Sequence, residues 1–302
     1  MSKDKINNKN GIDINKNYKW WDASHDRTFK DIFCGEDNKE MLSPIMSTMF
    51  EETVEVEEIL INELSNINVL DRRKTVDLFA KVSGRFTLVE INNGVKNYMP
   101  FRNFVYFAST IAQKTKMGRT YDRNVDHVLI NLNYGKKNEP YLKRVYKLQA
   151  EDGTTYLDNV IVIDFNMDRI KWEWYNKDRK KVEKYKYLIM LSLSKEELDE
   201  FTKGDPYMEE FKERISSLNS STEFQAFMSA EEESEMFYNT DIKEAREEGH
   251  ASGLEEGKSI GVEEGRASLI KKMISKGKTI EEISDLLDIP IEEINNLLNI
   301  QE

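Results

Sequence analysis

The sequence predicts an α/β main body followed by a helical C-terminal tail, and three observations lead there. Short apolar segments that read as strands (TVDLFAKV, with its period-two alternation, then FTLVEINN, DHVLINLNY and NVIVIDFN) interleave with segments of helical spacing such as MPFRNFVYFASTIAQKTKMG; such interleaving is the pattern of an α/β domain. Toward the C-terminus the alternation gives way to a glycine repeat and then to helical spacing. At 302 residues the chain can bury one sizeable core and a smaller appendage.

Taken in order, residues 1–18 are rich in Asn and Lys and are expected to be disordered. WDASHDRTFKDIF predicts a helix, with Asp22 and Ser24 as cap residues and Phe29, Ile32 and Phe33 at helical spacing. KEMLSPIMSTMFEE predicts a second helix whose effective start lies near Pro44. VEVEEILINEL reads equally as strand or helix. TVDLFAKV and FTLVEINN then form two strands across a Ser-Gly turn, with Phe86, Leu88, Glu90 and Asn92 on one face of the second. The helix MPFRNFVYFASTIAQKTKMG carries Phe101, Val105, Ala108 and Ala112 on one side, with Arg102 and Tyr106 four apart on another. DHVLINLNY, NVIVIDFN and YKYLIMLSL read as further strands.

In the tail, Gly249, Gly253, Gly257, Gly261 and Gly265 recur every fourth residue inside the repeat EEGHASGL, EEGKSIGV, EEGR. On a helix this is a stripe that lets two backbones approach, yet each glycine weakens a helix by about 0.8 to 1 kcal/mol relative to alanine. The segment is therefore either a self-associating helix or a flexible helical linker. Beyond it, short helices are expected with stops near Gly277 and Pro290 and a capping box from Thr279 to Glu282. The last of them, IEEINNLL, has no basic residue to meet phosphate, so packing or oligomerisation is expected of it before DNA reading. The expected organisation is a disordered start (1–18), an α/β domain (19–230), a glycine-repeat helical linker (231–266) and a small helical tail (267–302).

Composition narrows the chemistry. Cys34 is the only cysteine and the three histidines, His25, His127 and His250, are scattered, which leaves oxygen ligands for any bound metal. No apolar run reaches the roughly 18 to 20 residues of a membrane helix, and the N-terminus lacks the apolar stretch of a signal peptide, so a cytoplasmic protein with no membrane partner is expected. The net charge is −12, but residues 71–147 hold sixteen Lys or Arg against six Asp or Glu, a local +10 that leaves −22 for the remainder. That segment is either an electrostatic footprint for a polyanion or a set of solvated surface lysines.

The same segment holds two acids, Asp77 and Glu90, inside apolar strands, where a carboxylate raises the free energy unless something pairs with it. The pattern Asp26-x-x-Phe29-Lys30-x-x-Phe33, then Asp77, then Glu90-Ile91-Asn92, then Arg102 and Tyr106 resembles the PD-(D/E)XK nuclease family transposases, also described as recombination-promoting nucleases. The glycine-repeat tail is similar to the tails of these proteins, so the resemblance covers roughly residues 22 to 300. It implies a restriction-endonuclease-like mixed sheet flanked by helices. It also implies Mg²⁺, with Mn²⁺ as a substitute, held by Asp77, Glu90 and the backbone carbonyl of Ile91, with Asp26 in an accessory place.

Hydrolysis of a phosphodiester suits such a donor set, because a hard cation takes carboxylate oxygens and activates water. Lys30, Arg102 and Tyr106 would then face DNA. The plainer reading is that Asp26 and Lys30 form a surface ion pair worth about a few tenths of a kcal/mol, and that Arg102 and Tyr106 support the fold. Asn92 departs from the pattern: the wider superfamily has Lys there and the transposase-like branch commonly Gln, both of longer reach. The expected function is a metal-dependent DNA endonuclease linked to transposition or recombination. The alternatives are a catalytically weakened DNA-binding protein of the same fold, or an assembly protein that forms homo-oligomers through its tail.

Overall fold

The computed structural model describes residues 18–60, 63–64, 74–94, 96–114 and 124–299. The expected disorder of residues 1–17 and part of the basic segment lie outside the described residues. The chain divides into two compact units, 1–225 and 226–302.

The first unit opens with α1 (Asp26–Phe33), a 3-10 turn at Glu36–Asn38 and α2 (Lys39–Phe50). Asp22 closes the turn before α1, accepting from the backbone and hydroxyl of Ser24, so it does not cap the helix. Pro44 lies inside α2, whose first residue is Lys39, and not near its start. There the proline removes one ladder hydrogen bond, while the Ser43 and Thr48 hydroxyls bond back to the carbonyls of Lys39 and Pro44.

The ambiguous segment resolves as strand β1 (Val56–Leu60), followed by the short pair β2 (Glu63–Leu64) and β3 (Lys74–Thr75). Then come β4 (Leu78–Val82), β5 (Arg85–Asn92), α3 (Met99–Lys114), β6 (His127–Asn133), β7 (Lys143–Gln149) and β8 (Thr155–Asn166). Helices α4 (Met167–Tyr175), α5 (Arg179–Ile189), α6 (Lys195–Phe201) and α7 (Pro206–Asn219) complete the unit. The segment 185–193, expected as a strand, is the end of α5 and a 3-10 turn. Asp178 caps α5 by accepting from the Lys181 N–H, and Tyr185, Leu188 and Ile189 are buried at helical spacing.

The main sheet has six strands in the order β1-β4-β5-β6-β8-β7. β1, β4 and β5 are antiparallel, β5, β6 and β8 are parallel, and β7 returns antiparallel at the edge. One face packs Leu78, Ala80, Val89, Ile91, Ile130 and Phe165 into the large core under α1, α2 and α4 to α7. The other face is covered by α3, with Phe79, Leu88, Phe107 and Leu129 in a smaller cluster. α3 turns down Asn103, Phe107 and Thr110, while Phe101, at the head of the apolar stripe, is 74% exposed.

The second unit consists of most of α8 (Thr222–Ser275), α9 (Ile280–Leu287) and α10 (Ile291–Asn299). α8 runs through all five repeat glycines, and a Cβ at any of them would meet nothing within 4 Å. Gly277, at φ +87°, ends α8, and Thr279 with Glu282 forms the capping box of α9. Ala267, Ile270, Ile283, Ile294 and Leu297 make its small core.

Candidate functional site

The site starts from a tight turn. Ser83 and Gly84 take φ of 44° and 81°, the left-handed pair that a two-residue hairpin needs. They set the register of β4 on β5, from Val82↔Arg85 to Leu78↔Val89. The ladder stops there, and Asp77 and Glu90 occupy what would be the next opposed pair, both on the α3 face by alternation. Like charges in that relation repel.

With β4 ended, the Ile91 N–H has no strand partner and donates instead to Asp77 Oδ2 at 2.6 Å. The N–H and C=O of one strand residue point to the same side, so the Ile91 carbonyl also faces the place beyond the end of β4. On the far side of the residue, Cys34 Sγ donates to the Asp77 carbonyl at 3.3 Å and ties it to the end of α1.

α1 supplies a cation and a third acid. Lys30 Nζ lies 2.6 Å from Asp26 Oδ1, one turn away, and 3.4 Å from Asp77 Oδ1. Burial alone would lower the Lys30 pKa, but Asp26 and Asp77 outweigh it and hold it above the ordinary lysine value. Burial, reinforced by the neighbouring charge of Asp26, pushes Asp77 up to about 7. Burial and then the charge of Asp77 push Glu90 up to about 8, against the pull of Arg102 and Lys30. Glu90 is 2% exposed; its Oε2 lies 3.6 Å from Arg102 Nη2, and its Oε1 is buried without a hydrogen-bond partner.

Beside the acids lies a chain of amides. Parallel register places Glu90, Asn131 and Asp164 in one row across β5, β6 and β8, and Asn92, Asn133 and Asn166 in the next. Arg102 Nε donates to Asn103 Oδ1 at 3.0 Å, and Asn103 Nδ2 donates to Asn92 Oδ1 and Asn131 Oδ1 at 3.0 and 2.8 Å. Asn131 then donates to Asp164 Oδ1 at 2.8 Å, and Asn92 to Asn133 Oδ1 at 3.0 Å. A guanidinium can only donate and a carboxylate only accept, so the two ends fix the orientation of every amide between them. Asn133 Nδ2 is left buried with no acceptor.

The structure thus gathers Asp26, Lys30, Asp77, Glu90 and Ile91 around the end of the hairpin, with Arg102 and Asn92 joined to them. Tyr106 stands apart; its ring lies 5.8 Å from the Arg102 guanidinium and packs against the α3-side cluster. Sequence reasoning missed Asn103, Asn131, Asn133 and Asp164. The signal was present: Glu90-Ile91-Asn92, Asn131-Leu132-Asn133 and Asp164-Phe165-Asn166 repeat one polar-apolar-Asn pattern at the ends of the three parallel strands.

Among the described residues no three Asp, Glu, His or Cys side chains converge tightly enough to hold a metal ion by themselves. Two carboxylates and a backbone carbonyl nevertheless suit a hard divalent cation that keeps waters of its own. The buried, unpartnered Glu90 Oε1 and the mutual repulsion of the acid pair are relieved by such a charge.

A mixed six-stranded sheet flanked by helices is consistent with the PD-(D/E)XK class of α/β proteins. Residues 23–248 match the model of the PD-(D/E)XK nuclease family transposase, 226 of the 302 residues, and the chain belongs to that family. The family is one of nucleases related to transposition or recombination, and PD-(D/E)XK nucleases generally use divalent metals. No match to a curated protein or to a solved structure was found.

Proposed function

We propose that this protein is a metal-dependent DNA endonuclease acting in transposition or recombination. The observation that carries the reading is the acid pair at the end of the β4–β5 hairpin, Glu90 buried and Asp77 partly so, with one Glu90 oxygen unpartnered, Lys30 beside Asp77 and Arg102 beside Glu90. Asp77, Glu90 and the Ile91 carbonyl would hold Mg²⁺, or Mn²⁺ in its place. When bound, such an ion polarises the phosphate and lowers the pKa of an attacking water.

The chain's own residues position the substrate. Lys30 and Arg102 bracket the acids and meet phosphate oxygens without reading sequence. Asp26 stands beside Asp77 and Lys30 as the accessory acid and orients the ammonium. The Asn92 amide is engaged at both ends, accepting from Asn103 and donating to Asn133, so its part is to hold Arg102 and the strand end in place. That engagement also favours a second reading, a DNA-binding protein of weakened turnover, because no lysine stands at position 92.

The test is nicking of supercoiled plasmid across Mg²⁺ and Mn²⁺ concentrations, with an Asp77→Ala, Glu90→Ala double variant beside the wild type. Metal-dependent nicking that disappears in the variant is expected. An intact plasmid with salt-sensitive DNA binding would overturn the endonuclease in favour of the second reading. Equal cleavage by the folded variant would sink the site assignment.

A further inference from the structure

A pocket of about 620 Å³ opens beside the acid pair, between the N-terminal end of α3 and the carboxyl ends of β5, β6 and β8. Its volume falls in the range of about 300 to 1,000 Å³ usual for small-molecule sites. Asn92, Asn103, Asn131, Asn133 and Asp164 form its polar lining, and Phe104 and Tyr146 add aromatic surface. The pocket is therefore built from the amide chain described above, not from loosely placed surface groups.

Three features define what it takes. Asn133 is 7% exposed and its Nδ2 is a buried donor with no acceptor, while Asp164 can only accept. A planar group with donors and acceptors along one edge would satisfy both. Phe104 and Tyr146 are 45% and 44% exposed, which leaves ring surface in the pocket that a flat partner can cover. Lys96 and Lys136 are offset by Asp164 and Glu139 in the same lining, and Lys136 Nζ already lies 3.7 Å from Glu139 Oε1. The balance of charge is wrong for a bare phosphate and right for a neutral heterocycle.

Asn131 is the register partner of Glu90 on the adjacent strand, about 4.8 Å away in the sheet. A nucleotide whose phosphate lies at the acids can therefore lay its base in the pocket. We propose that this pocket receives one unstacked nucleobase of the DNA strand held at the acid pair. The proposal rests on the nuclease reading and adds a substrate class to it: DNA with an unpaired nucleotide. Extruding a base from a duplex is easiest where it is already unpaired.

The experiment uses the full chain in Ca²⁺ buffer and fluorescence anisotropy with two labelled duplexes of one sequence, one fully paired and one with a single extra unpaired nucleotide. Tighter binding of the second by about tenfold is expected from the strength of base stacking on aromatic rings. A Phe104→Ala, Tyr146→Ala variant should bring that ratio close to one and still bind the paired duplex. Equal affinity of the wild type for both duplexes, or a preference that survives in the variant, overturns the base pocket and leaves the nuclease reading standing. Absence of binding to either duplex overturns both. Saturable binding of deoxyadenosine monophosphate with no preference between the duplexes would assign the pocket to a free nucleotide and overturn the proposal.

Discussion

Replacing Asn103 would strand several groups at once. It is 1% exposed, accepts from Arg102 and donates to Asn92 and Asn131, so Asn103→Leu keeps the volume and leaves their oxygens and the Arg102 Nε–H without that partner. A loss of about 2 to 4 kcal/mol is expected in urea unfolding. Phe101→Ala, at a residue 74% exposed on the same helix, should stay within about 0.5 kcal/mol. On this helix apolar spacing alone does not mark the buried face. Helical spacing marks apolar residues as the buried face, but here an amide was buried because its partners arrive from strands distant in the chain. The acids were legible for the opposite reason: a carboxylate inside an alternating apolar strand stands out, and Glu90 is buried and Asp77 partly buried. Asn131 and Asn133 stand in equally apolar surroundings, yet a neutral side chain draws less notice there.

At the scale of elements, the β4–β5 hairpin was readable because one Ser-Gly pair with positive φ sets both its turn and its register. The end of α5 was not, because a short apolar run carries no period of its own, and the cap that decides it, Asp178, lies seven residues before the run begins at Tyr185. Edge strand β7, with six of its seven residues exposed, has no buried face to reveal it. For α8 the sequence left two readings open. All five repeat glycines lie within one continuous helix, and a Cβ added at any of them would meet no other part of the chain within 4 Å. Gly249→Ala, Gly253→Ala and Gly257→Ala together should therefore stabilise the helix by roughly 2 to 3 kcal/mol, seen as slower amide exchange over residues 245–261. Light scattering should show an unchanged mass; a fall in mass would mean that the stripe had been seating a second backbone.

For the molecule as a whole, the acid pair predicts an unusual response to pH. Unfolded Asp and Glu titrate near 3.8 and 4.5, whereas folding pushes Asp77 up to about 7 and Glu90 up to about 8. The native state thus keeps protons that the unfolded chain has released, and the stability this confers is full below the unfolded values and lost as pH rises through the folded ones. In EDTA the melting temperature should fall between about pH 5 and pH 8.5, with Mg²⁺ restoring it at the upper end. A flat profile would show that the acids are not strained. Among the described residues no helix is long and apolar enough to cross a membrane.

The hairpin register has a consequence in time as well as in space. Asp77 and Glu90 meet across a single two-residue turn, while the amide chain needs partners 28, 33 and 41 positions away. Short loops close first, since the entropy lost on closure grows with the length of chain enclosed. The two acids are thus expected to come together while still hydrated, when their repulsion is weak. Water leaves them only when β6 and α3 dock, so the strain of the site is loaded in the last steps of folding.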